Sequence, residues 1–218
     1  MRGPGLLDGR RPPYVCVVDA LIDDTTNIAS FFRDAVRGAA VGRGYDPGAP
    51  SALYVASLLA DYAMPGSRTP EPLDRPLTVL LVEALGTVGP ERFERLRCLG
   101  DQALYLSGFF SDHLERRGVE RRYVYDVGAT AYDAAGAILR RGGGQQRGPD
   151  VFDELATNFT ELVALLRDVA DVAYAASAHD ARGIVDLYER WTRRESPALT
   201  AALVRSGVVP SRGGGALH

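Results

Sequence analysis

Residues 91–117 read ERFERLRCLGDQALYLSGFFSDHLERR. Leu96, Leu99, Ala103, Leu106, Phe110 and Leu114 recur at spacings of three and four, the period of one buried helical face. From Ala103 to Phe110 the remaining faces are apolar as well, so this helix has to be enclosed by protein. Gly118 follows Arg116-Arg117 and suits the left-handed conformation that closes a helix. The stretch predicts a central helix, and the rest of the fold is read around it.

A second helix is expected over about 120–140, with Tyr123, Val127, Ala131, Ala134 and Ile138 on one face and Tyr125, Gly128, Tyr132 and Leu139 on the next. The short connection makes these two antiparallel neighbours. Asp150 caps a third long helix, expected to run unbroken to about Ser177, with Phe152, Leu155, Phe159, Leu162, Leu166, Val169 and Ala173 inward. Shorter helices are expected from Thr26 or Asn27 to near Gly38, and from a Ser51 cap to about Tyr62. Others are expected over 77–85, from an Asp180 cap, and from Ser196-Pro197 to Gly207. The expectation is all-α: a single-domain bundle of about seven or eight helices over residues 26–206. It is preceded by an arm (1–25) with a short irregular or strand-like segment, Tyr14–Val18, and followed by a flexible tail (207–218). The four prolines between Pro65 and Pro76 mark a loop.

Composition closes several chemistries. All 25 basic residues of the 218 are Arg, as codon usage in a GC-rich bacterial genome would give. Without lysine there is no Schiff-base nucleophile, no Walker-type phosphate loop and no kinase site. A net charge of −3 gives no global basic character for nucleic-acid binding. No apolar run reaches the roughly 20 residues of a membrane span, and no secretory signal is apparent. Cys16 and Cys98 stand far apart, outside any metal or redox spacing, and are read as reduced thiols of a cytoplasmic protein.

Three pieces carry a resemblance: Leu99-Gly100-Asp101 to Tyr105-x-Ser107-Gly108-Phe109-Phe110, Tyr125-x-x-Gly128-x-x-Ala131-Tyr132, and Leu187-Tyr188-Glu189-Arg190-Trp191. Together they resemble an uncharacterised family of bacterial all-helical proteins over about residues 50–210. The resemblance implies a helical fold and brings no activity, cofactor or catalytic residue.

Catalytic and metal constellations are thin. No Glu-x-x-His pair occurs. Asp101 and Asp112 share a helix face about 16 Å apart, too far to hold one ion. His113 and His179 lie near helix ends, and Asp19, Asp23 and Asp24 read as a turn before a helix. No Gly-x-Ser-x-Gly elbow appears, and Gly142-Gly143-Gly144 has no strand before it. No metal, cofactor or catalytic residue is expected.

Glycine beside aromatics is the remaining signal. Gly100, Gly108, Gly128 and Gly136 fall inside helices, each at a cost of about 1 kcal/mol relative to Ala. Such repetition implies close helix approach or space kept for a ligand. The candidate pocket or interface is Asp101, Tyr105, Phe109, Phe110, Asp112, His113, Tyr123, Tyr125, Asp126 and Tyr132. The competing reading fills the notches with rings and bonds tyrosine hydroxyls to Asp101 or Asp126. Arg116, Arg117, Arg121 and Arg122 form a candidate anion patch, or simply cations at helix ends. The functional expectation is an interaction or regulatory module working through a protein partner or self-association. The alternatives are a helical enzyme or ligand binder lined by the aromatics of 101–132, and RNA binding through the arginine patch.

Overall fold

The computed structural model describes residues 25–64, 75–141, 150–178 and 180–211. The strand-like run at Tyr14–Val18, the Asp19, Asp23 and Asp24 turn, Gly142–Gly144 and His179 lie outside them, as do parts of the proline loop and of the tail. So does the side chain of His113. Within the described residues the fold is all-α, with ten helices and no strand. They are α1 (Thr25–Arg43), α2 (Ala49–Ala63), α3 (Leu77–Gly86), α4 (Pro90–Phe109), α5 (Ser111–Arg116), α6 (Arg121–Arg141), α7 (Val151–Thr157), α8 (Phe159–Ser177), α9 (Ala181–Arg194) and α10 (Pro197–Arg205). Among the described residues no helix is long and apolar enough to cross a membrane.

The centre is α4, packed most extensively against α6 and also against α8. Every residue of α4 from Ala103 to Phe109 is buried, and so are Leu96, Leu99, Gly100 and Asp101. Helices α1 and α2 pair with each other, α1 covers α8, and α3 rests on α4 and α6. A smaller apolar cluster of Leu187, Trp191, Leu199, Ala202 and Leu203 joins α9 to α10, and α10 returns onto α8.

Two of the expected long helices divide, which turns eight segments into ten. The helix expected over 91–117 stops at Phe109, and Phe110 leaves the helical conformation before α5 begins. Arg167 Nε donates to the carbonyl oxygen of Ser107 at 3.3 Å, so an arginine from α8 serves the carboxyl end of α4. The helix expected over 151–177 breaks at Asn158, between α7 and α8. The early helix runs past Gly38 to Arg43.

Caps explain most of the other boundaries. Asp150 accepts from Phe152 N, Asp180 from Gly183 N, and Ser196 from Leu199 N ahead of Pro197. Ser51 does not cap α2, which begins at Ala49. Its hydroxyl donates to Glu154 Oε2 at 2.6 Å, while Gly48 N donates to Oε1 at 2.6 Å. A carboxylate from α7 thus covers the amino end of α2, where its charge is favourable.

Candidate functional site

The glycine notches of α4 and α6 are filled. A Cβ on Gly100 would lie 2.6 Å from the Tyr132 ring, and one on Gly108 would lie 2.5 Å from Leu166 Cβ. At Gly128 it would strike Phe159. Glycine at these positions lets α4 meet α6, α4 meet α8 and α6 meet α8 with large side chains seated directly on backbone. The fourth notch differs: Gly136 faces the Arg140, Asp150 and Asp153 side chains.

Asp101 is the polar centre of this packing. It is only 2% exposed, and its Oδ1 accepts from Tyr54 Oη at 2.6 Å and from Tyr132 Oη at 2.8 Å. Arg97 Nη1 donates to Oδ2 at 2.8 Å, and the same guanidinium bonds Glu94 through Nε and Nη2. Burial outweighs these favourable contacts and holds the Asp101 carboxyl above the usual carboxylate range. Burial, reinforced by the Asp101 charge, pushes the hydroxyls of Tyr54 and Tyr132 upward, so both remain donors. Each polar group here is matched, which suits a hub locking α2, α4 and α6 together.

The other sequence-derived candidates disperse around this hub. Tyr105 stacks on Phe109 at 5.1 Å, meets Phe110 edge-on at 5.5 Å, and lies 4.7 Å from the Tyr62 ring. Tyr123 accepts from Thr78 N at 3.0 Å and ties α6 to α3. Tyr125 accepts from Arg167 Nη2 at 2.9 Å. Asp126 is exposed, 3.7 Å from Arg122, and Asp112 stands 3.7 Å from Arg193. The structure therefore brings together Asp101 with Tyr132, and Tyr105 with Phe109 and Phe110, while Tyr123, Tyr125, Asp112 and Asp126 have separate surroundings.

The arginine patch is partly neutralised. Arg121 pairs with Glu115, Arg122 with Asp126, and Arg116 Nε donates to the Asp112 carbonyl. Among the described residues no group of three or more His, Cys, Asp or Glu side chains could hold a metal ion. Cys98 is an exposed free thiol.

Sequence reasoning missed Tyr54, which completes the Asp101 hub, because its partner lies 47 residues away. It also missed Asp171. That carboxylate is fully buried, accepts from Arg190 Nε at 2.7 Å, and has Arg194 Nε 3.4 Å from its other oxygen. The second approach meets the distance for charge pairing without hydrogen-bond alignment, since Oδ2 has no hydrogen-bond partner. The Arg190 guanidinium also lies 4.2 Å from the centre of the Tyr174 ring. The signal available in sequence was Asp168-x-x-Asp171 on one helix and Arg190-x-x-x-Arg194 on the next.

A different surface is left open. Seven of the ten residues of α3 are apolar, yet only Leu77 and Ala84 are buried. Val79 is 42% exposed, Val82 69%, and Val88 just beyond the helix 81%. Among the described residues, Arg75 and Glu83 beside this face bond each other. Comparison with family models, curated proteins and solved structures finds no match to the chain.

Proposed function

We propose that the chain is a helical interaction module that pairs with a second copy of itself through α3. The observation that carries this is the exposure of Val79, Val82 and Val88 on and beside a helix whose composition is that of a core element. Val79 and Val82, three residues apart, share one face of the helix, and apolar side chains exposed together are where contact sites are sought. Self-pairing is favoured over an unlike partner because Arg75 and Glu83 neutralise each other. A face without unpaired charge can meet its own copy across a two-fold axis without like-charge repulsion.

The filled glycine notches weigh against a ligand pocket among the aromatics. A cytoplasmic setting belongs to the same reading and is supported by Cys98, a free exposed thiol. Membership of the bacterial helical family whose pattern the sequence resembles is part of the proposal and adds no activity to it.

Sedimentation equilibrium tests the pairing. The wild-type chain should show a concentration-dependent rise from monomer to dimer mass, and Val82→Asp should remain monomeric while keeping its helical circular dichroism. A wild type that stays monomeric up to about 1 mM, where even an association of about −4 kcal/mol would show, contradicts the proposal. So does a Val82→Asp variant that dimerises as the wild type does.

A further inference from the structure

Arg167 is a partly buried cation with no carboxylate within ion-pair distance among the described residues. Its Nε serves the Ser107 carbonyl at 3.3 Å and its Nη2 serves Tyr125 Oη at 2.9 Å, both neutral acceptors. The hydrogens of Nη1 have no acceptor among the described residues. Tyr125 accepts from the arginine, so its own hydroxyl proton remains to be donated. Ser107 Oγ, on the residue whose carbonyl receives Nε, is buried without a hydrogen-bond partner. Arg167, Tyr125 and Ser107 thus come from α8, α6 and α4, three helices that pack together, and of their polar atoms Ser107 Oγ is buried without a partner.

The charges around this point do not offset Arg167. Burial lowers the affinity of its guanidinium for a proton, and Arg121 and Arg194 add like-charge repulsion. Tyr125 and Glu115 act in the opposite direction, but Glu115 is itself bonded by Arg121. Arg194 is shared between Asp168 and Asp171, and Asp168 also holds Arg43. The nearby carboxylates are thus engaged elsewhere. A partly buried arginine is costly without an anion, and its planar fork matches two oxygens of one.

We propose that Arg167, with the hydroxyls of Tyr125 and Ser107, binds a small oxyanion, the group common to phosphate and carboxylate ligands. One oxygen would accept from Arg167 Nη1 and another from Tyr125 Oη. Arg121 and Arg194 would lend long-range attraction. The site is separate from the α3 face, so it stands or falls independently of the pairing proposed there. It also differs from the patch expected in sequence: of Arg116, Arg117, Arg121 and Arg122, only Arg121 contributes, while Arg167 comes from a distant segment.

Isothermal titration calorimetry with sodium orthophosphate and with sodium acetate, at ionic strength matched by sodium chloride, tests this. Saturable binding of at least one anion is expected. If only orthophosphate binds, the ligand class is phosphate; if only acetate binds, it is carboxylate. Tyr125→Phe keeps the ring against Phe159 and should weaken binding roughly ten- to hundred-fold, the usual effect of one hydrogen bond to a charged group. Arg167→Gln should weaken it further. Tyr125→Phe leaves the Arg167–Ser107 contact in place, so it remains informative if Arg167→Gln unfolds. Absence of saturable binding for both anions overturns the proposal, as does wild-type affinity in Tyr125→Phe.

Discussion

At Gly100 a single methyl group would collide with a ring that has nowhere to go. Tyr132 is fully buried, its hydroxyl is held by Asp101, and its ring lies among Tyr54, Phe152 and Phe159. Gly100→Ala should therefore cost about 1–3 kcal/mol through overpacking, measured by urea denaturation. Gly38→Ala should do the reverse. That glycine is exposed within α1, a Cβ there meets nothing within 4 Å, and better helix propensity should add about 0.5–1 kcal/mol. Equal effects at the two positions would contradict the notch account. Asp101 supplies a pH test. Because its folded carboxyl is raised by burial, the folded protein holds this proton more tightly than the unfolded chain. Its contribution is fully present below the unfolded value of about 3.9 and is lost as pH rises through the raised folded value. Asp101→Asn removes that dependence, so the variant should gain ground on the wild type as pH rises across this window. Urea midpoints that separate in the opposite direction would contradict it.

Among the elements, the least supported part of the core is the α9–α10 hairpin. It has its own small cluster and is anchored by the buried Asp171–Arg190 pair, with Arg190 only 13% exposed. Asp171→Ala leaves a buried guanidinium without its carboxylate, a loss of about 3–5 kcal/mol. Hydrogen exchange should accelerate first in α9 and α10 and much less in α4. Uniform acceleration along the chain would show that the pair supports the whole fold instead. This anchor illustrates what the sequence conceals. Helix identities were legible because apolar spacing and caps such as Asp150, Asp180 and Ser196-Pro197 are local signals. The breaks at Phe110 and Asn158 were not, because the apolar stripe continues across both. On α6 the expected Val127 and Ala131 are buried, and so are Gly128 and Tyr132 of the adjoining face. Val124 and Ala135 are also buried, whereas Tyr123, Ala134 and Ile138 are only half-buried, so the buried face is centred between the two faces read from spacing. The partners Tyr54–Asp101 and Asp171–Arg190 depend on packing between separate helices, which spacing within one helix cannot supply.

For the whole molecule, the aromatics that formed a candidate pocket or interface in sequence are spent on joining helices, and three of the exposed apolar side chains, Val79, Val82 and Val88, lie on or beside α3. That division is the basis for reading the chain as an interaction module. Its most direct test is hydrogen exchange recorded at two protein concentrations, one below and one above the dimerisation midpoint. Self-pairing through α3 predicts added protection at higher concentration over residues 77–88, with α9 and α10 unchanged. Exchange that is independent of concentration over 77–88, or protection gained on another surface, would contradict it.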